Sequence, residues 1–155
     1  MSKSLKRVTR AIQAAGLGTT PFETGPATTA QMAADLVGCD LNQIAKSVIF
    51  RGQNSNRAIL FVTAGGNQVN PHRAAALANE PLGKADAAFI RATTGFAIGG
   101  VSPLGHMIPS LTFFDRTLLN YETIWAAAGT PRHLFASNPA HLCATIDAQI
   151  SDFIP

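Results

Sequence analysis

Two apolar runs, Ala45–Arg51 and Ala58–Ala64, stand on either side of the short polar segment Gly52–Arg57. Both are rich in β-branched and aromatic residues, which suit a pleated, half-buried surface. So short a connection joins antiparallel neighbours, because parallel ones need a crossover of a dozen or more residues. A β-hairpin near the middle of the chain is therefore the feature around which the rest must be arranged.

Helix signals flank it. Leu5, Val8, Ile12 and Ala15 recur at helical spacing and Gly16 ends the run, which predicts an amphipathic first helix. A short extended piece comes next, around Pro21–Glu23. Thr28 stands three residues before Gln31, a capping-box spacing that predicts a second helix to about Val37, closed by Gly38. Asn70-Pro71 offers a cap followed by proline in the first turn, and predicts a helix through about Ala78. A shorter helix is expected from Asp86 to Thr93. After the glycine-rich stretch Gly95–Gly105 come a strand at Leu111–Phe114 and a second hairpin. Its arms are Thr123–Ala128 and His133–Ala136, around Gly129–Arg132. Asn138-Pro139 repeats the cap-plus-proline signal and predicts a C-terminal helix to about Ile150. Irregular interleaving with tight hairpins favours α+β, with a mixed, largely antiparallel sheet surrounded by helices, over a parallel doubly wound fold. No repeat, low-complexity tract or linker divides residues 1–155, so one domain is expected.

Composition narrows the class. Apolar residues make up 46% and charged residues 14%, a balance that suits a compact fold. No apolar run approaches the roughly 20 residues of a membrane span, so no membrane association is expected. The basic N-terminus is not followed by an apolar core and cleavage site, which argues against a secretory signal. Cys39 and Cys143 are far apart and read as reduced, buried thiols of a cytoplasmic protein. Residues 1–91 hold ten Lys and Arg against five Asp and Glu, whereas residues 92–155 hold two against four. Lys3, Lys6, Arg7 and Arg10 fall on one helical face, which is suited either to phosphate contact or simply to solvent.

Two features carry chemistry. Lys46 interrupts a strand in which both faces are otherwise mostly apolar, sharing a face with Val48 and Phe50. Such a lysine snorkels, guards an edge, or faces a cleft where its charge holds a phosphate or a developing oxyanion. The second feature is Thr94 through His106, with Gly99, Gly100, Val101, Ser102 and Pro103 at its centre. Glycines let main chain approach a ligand, and Pro103 stiffens the turn, leaving Gly100, Val101 and Ser102 as candidate N–H donors. Neither the phosphate-loop nor the dinucleotide pattern is present. Ser102, His106 and Asp115 do not form a nucleophile elbow, since Leu104 stands where its second glycine belongs. His72, His106, His133 and His141 lack metal-ligand spacing, so neither metal nor cofactor is expected.

Three segments, in this order, resemble the YbaK/ProX family of trans-editing aminoacyl-tRNA deacylases, relatives of the editing domain inserted in bacterial prolyl-tRNA synthetases. They are Ile44-Ala45-Lys46-Ser47-Val48-Ile49-Phe50; Thr94-Gly95-Phe96 through Gly99-Gly100-Val101-Ser102-Pro103-Leu104-Gly105-His106; and Thr112-Phe113-Phe114-Asp115 through Ile124-Trp125-Ala126-Ala127-Ala128-Gly129-Thr130-Pro131. The resemblance implies a sheet curled around a cleft. It implies that Lys46 is the family's characteristic lysine and that Ser47, Gly99, Gly100, Val101, Ser102, Pro103 and His106 contact substrate. The implied reaction is metal-free hydrolysis of the ester joining an amino acid to the terminal adenosine of tRNA, usually a tRNA for proline. Water would attack, helped by the free ribose hydroxyl of the substrate. The implied partners are the aminoacylated tRNA end and a synthetase, with no role for DNA. Members that discriminate cysteine carry serine where this chain has Ala127, which turns the expectation towards a small residue such as alanine. A non-catalytic tRNA- or synthetase-binding module is the alternative.

Overall fold

The computed structural model describes residues 2–155. Helix α1 (Lys3–Ala15) buries Leu5, Val8 and Ile12 and is stopped by Gly16 in the left-handed region. Strand β1 (Phe22–Glu23) precedes α2 (Ala30–Val37), which Thr29 rather than Thr28 caps, through the N–H of Met32. The Thr28 hydroxyl lies instead against the Met32 sulfur, so the helix starts one residue later than the capping-box spacing implied. A 3-10 turn at Leu41–Gln43 then delivers the chain into β2 (Ile44–Gly52), which pairs antiparallel with β3 (Ala58–Ala64). The central hairpin is therefore present over the whole expected length.

Helix α3 (Pro71–Ala78) is capped by Asn70, as the Asn-Pro pair predicts. Next along the chain are strand β4 (Leu82–Lys84), helix α4 (Ala87–Thr94), strand β5 (Leu111–Asp115) and a 3-10 turn at Arg116–Asn120. The second hairpin is β6 (Ile124–Ala127) and β7 (His133–Ser137). Helix α5 (Pro139–Thr145) ends short of Ile150 because Asp147 adopts a left-handed conformation (φ 52°) and turns the chain into β8 (Gln149–Ser151).

All eight strands belong to one sheet, in the order β1-β7-β6-β2-β3-β5-β8, with β4 added on β2. The class is α+β with a mixed sheet. Four pairings are antiparallel, whereas β2–β6, β3–β5 and β5–β8 are parallel and connected by helix-bearing crossovers. On one side of the sheet Leu60, Val62, Phe114, Phe135 and Leu142 pack with the buried stripe of α1; on another, Ile59, Phe61, Phe113 and Phe153 gather, with Phe61 and Phe113 stacked at 5.2 Å. Among the described residues no helix is long and apolar enough to cross a membrane.

The pairing of β2 is interrupted along one edge. On the side away from β3, Ile44 and Ala45 pair with β6, and Phe50, Arg51 and Gly52 pair with β4. Residues 46–49 lie between these partners and have none on that side among the described residues. The sheet is split along this stretch, which begins at Lys46.

Candidate active site

Beside this split lies a cavity of about 340 Å³. Its walls come from β2 (Lys46, Ser47 and Ile49), from α2 and the segment before it, from the β6–β7 turn, and from Ile98, Gly99 and Val101 of the glycine loop. Most of the lining is small and apolar, and among the described residues no carboxylate contributes. Ala27, Ala30, Ala33 and Ala127 supply much of that wall. The first three offer a sequence reading neither charge nor motif, so nothing marks them before the chain is folded; Ala127 stands out only through the family resemblance.

Lys46 is half-buried. Its Nζ donates to the carbonyl of Asn67 at 2.5 Å, a residue outside the cavity lining. Burial pushes the pKa of this ammonium down, and the nearby charge of Asp115 acts against that shift. Ser47 stands next to it on the opposite strand face and also lines the cavity. Its Oγ is buried and has no hydrogen-bond partner among the described residues. Buried hydroxyls are nearly always satisfied, so this orphan sets Ser47 apart from the rest of the strand.

The glycine loop begins where Gly95 ends α4. Gly99, at φ +91°, makes the turn that brings the Gly100 N–H to the Ala97 carbonyl at 3.1 Å. That donor is consumed by the loop itself, contrary to its expected availability. Among the described residues no intrachain bond uses the N–H of Gly99 or Val101. Ser102 is fully buried, and its Oγ accepts from the N–H of Leu104 at 3.2 Å.

Pro103 and His106 are set apart from Lys46. Both line a second cavity, of about 350 Å³, and neither lines the first. His106 Nε2 lies 2.6 Å from the Ser102 carbonyl, and Nδ1 lies 2.8 Å from Ser110 Oγ. A carbonyl only accepts, so Nε2 carries the proton, and in the neutral ring Nδ1 accepts from the serine hydroxyl. Burial pushes the His106 pKa down, the bond to Ser102 opposes this, and the charge of Arg7 adds to it. Ser102, His106 and Asp115 do not assemble as a triad, for the ring meets the Ser102 carbonyl rather than its hydroxyl.

The basic stripe of α1 divides. Lys3, Lys6 and Arg10 are exposed. Arg7 turns inward, donating from Nε to the Gly105 carbonyl at 2.7 Å and from a terminal nitrogen to the Thr94 carbonyl at 3.3 Å. Its guanidinium lies 4.6 Å over the Phe96 ring, whose edge meets His106. A carbonyl clamp and a cation–π contact of this kind fasten α1 to both ends of the glycine loop. Among the described residues no three His, Cys, Asp or Glu side chains cluster in a way that holds a metal ion.

A mixed sheet split beside a lysine, with a loop carrying unengaged main-chain donors on the same cavity, defines a class of small α+β domain. The profile of the aminoacyl-tRNA editing domain matches residues 24–144, and the chain belongs to that family. Its solved neighbours include a crystal structure assigned provisionally as a trans-editing enzyme for prolyl tRNA synthetase. That structure is 40% identical, has a TM-score of 0.91, and the match covers 100% of this chain and 99% of the other. Hypothetical protein APE2540 is 26% identical with a TM-score of 0.88, over 96% of this chain and 99% of that one. Uncharacterized protein YwhH of Bacillus subtilis (strain 168) is 31% identical over 79% of this chain and 77% of its own length.

Proposed function

We propose that the protein is a deacylase that acts in trans, hydrolysing the ester of a mischarged tRNA, most suitably a small amino acid such as alanine on a tRNA for proline. The observation that carries this reading is the cavity: a lysine, a serine and bare main chain of the glycine loop border one small apolar space. Membership of the editing family and likeness to a structure assigned to prolyl-tRNA trans-editing support it.

An aminoacyl ester is already activated by its α-ammonium group, so the enzyme chiefly positions the ester and stabilises the oxyanion. The N–H groups of Gly99 and Val101 are the donors suited to that task, each worth about 2.7–4 kcal/mol by analogy with known oxyanion donors. Lys46 serves as a cationic anchor for phosphate or the ester carbonyl, and Ser47 Oγ bonds the bound aminoacyl group. Gly100, Ser102, Pro103 and His106 shape the loop. Water attacks, assisted by the free ribose hydroxyl, and the mechanism calls on no metal or cofactor. Small alanines around the cavity, Ala127 among them, suit a short aliphatic side chain. A cavity separates neighbours differing by one methylene only about 10–200-fold, so tRNA contacts share the discrimination.

The test is release of labelled amino acid from a panel of mischarged tRNAs by wild type and Lys46→Ala. Turnover by the wild type on alanyl-tRNA for proline, and its loss in the variant, is the expected result. Equal hydrolysis by both proteins removes Lys46 from the mechanism, and no turnover on any ester leaves a binding module.

A further inference from the structure

The ammonium of Lys46 ends on a main-chain carbonyl, and what fixes that carbonyl is a polar chain inside the domain. The Asn67 side chain donates from Nδ2 to Asp115 Oδ2 at 2.9 Å and to Thr117 Oγ1 at 3.1 Å. Asp115 is completely buried. Its Oδ2 also accepts from the Ala64 N–H at 3.0 Å, and its Oδ1 accepts from the Thr117 N–H at 2.9 Å. Every neighbour of this group is a donor, an arrangement suited to a carboxylate. The Asn67 N–H returns to the Ala64 carbonyl at 2.9 Å, and the turn between them is held to the 3-10 turn by the bond from the Gly66 N–H to Asn42 Oδ1. The segment after β3 is thereby tied at both ends, with its Asn67 carbonyl presented to Lys46.

We propose that Asn67 and Asp115 are positioning residues for Lys46, the buried carboxylate holding Asn67 in place and standing as the counter-charge to the ammonium of this cavity-lining lysine. The proposal deepens the deacylase reading, on which its catalytic consequence rests. Its physical logic is that a half-buried lysine loses hydration without gaining a direct ionic partner. No salt bridge is formed by Lys46 among the described residues. A carboxylate one residue removed attracts the ammonium without capturing it, so the cation stays available to a phosphate or carbonyl. A direct ion pair would cost substrate the energy of breaking it. Asp115 is joined to Lys46 through Asn67, which takes the ammonium on its carbonyl and gives its side-chain amide to the carboxylate.

The experiment observes Lys46 directly. The chain has four lysines, so lysine-selective isotope labelling gives few signals, and the Lys46 resonance is the one lost in Lys46→Arg. In Asp115→Asn the titration midpoint of Lys46 is expected to fall below that of the wild type, because the attraction is gone while burial remains. The alkaline limb of kcat on mischarged tRNA is expected to move to lower pH with it. An unchanged Lys46 midpoint in a folded Asp115→Asn protein overturns the proposal, since a purely structural aspartate leaves it where it was.

Where Asp115→Asn fails to fold, Asn67→Ala decides. It keeps the carbonyl and removes the link to Asp115. The expected result is collapse of the two inequivalent Lys46 Cε protons to one averaged signal, with kcat/KM down about tenfold. Retained inequivalence overturns the proposal. Absence of turnover by the wild type itself would instead defeat the deacylase reading, while the two spectroscopic outcomes still decide the lysine's partner.

Discussion

Gly100 and Thr130 are so close that a Cβ on the glycine would stand 2.7 Å from Thr130 Cα and 2.8 Å from its carbonyl carbon. The glycine loop is therefore pressed against the main chain of the β6–β7 turn, and neither side has a flexible end that can yield. Gly100→Ala is expected to push Gly99 and Val101 off their positions. A misplacement of about 1 Å costs roughly 100-fold in rate, and overpacking costs about 1–3 kcal/mol of stability. Single-turnover deacylation and thermal melting of the same preparation test this. Wild-type rates in the alanine variant would show that the loop's placement is irrelevant to the reaction.

His106 gives a prediction with a sign. Its pKa is lowered in the folded protein from an ordinary 6.5, so below that value the unfolded chain binds the proton more readily. The contribution to stability is complete above pH 6.5 and is lost as pH falls from there through the folded-state value. Denaturant midpoints of the wild type should drop over that acid window, and His106→Gln should flatten the drop while keeping a donor for the Ser102 carbonyl. His106→Ala leaves that carbonyl unsatisfied and is expected to lose about 1–3 kcal/mol at neutral pH. Parallel pH profiles for wild type and glutamine variant would exclude His106 as the titrating group.

The two halves of the α1 stripe should separate in a salt titration. Lys3, Lys6 and Arg10 are exposed, whereas Arg7 is engaged by the Gly105 and Thr94 carbonyls. Each exposed cation that meets a phosphate contributes about 0.7–0.9 to the slope of log affinity against log salt. Replacing all three by alanine should flatten the tRNA-binding slope and leave melting nearly unchanged. Arg7→Ala should lower melting and leave that slope nearly unchanged. Equal effects of the two replacements on the slope would mean that the stripe acts as one surface.

How much of the fold is legible in the sequence depends on how local each signal is. The hairpin of β2 and β3 and the caps at Asn70 and Asn138 rest on neighbouring residues, and they formed where expected. Strands β4 and β8 are three residues each and owe their existence to β2 and β5, so no local pattern announces them. The same holds at the candidate site. Lys46 and the glycine loop are conspicuous because a charge in an apolar strand and a cluster of glycines are unusual by themselves. The Lys46–Asn67 bond spans 21 residues and ends on a main-chain atom, to which side-chain chemistry gives no clue. Arg7 looks like its neighbours on the helix until tertiary packing turns it inward.

Ser47 offers the last prediction, and here stability and activity should move in opposite directions. A buried hydroxyl with no partner has given up its hydration for nothing in the free protein, a loss of about 1–3 kcal/mol. Ser47→Ala removes that group from a position already bordered by Ala45 and Ile49, and leaves little new space. The variant should therefore unfold at a higher temperature than the wild type. If the hydroxyl is satisfied by the bound aminoacyl group, as the deacylase reading holds, the same change removes an interaction made only in the complex. A loss of one such hydrogen bond corresponds to about tenfold in kcat/KM. Ser47→Thr, which keeps the hydroxyl, should recover part of the rate without the gain in melting temperature. A Ser47→Ala protein that melts higher and also retains full activity would show that the orphan hydroxyl serves no ligand.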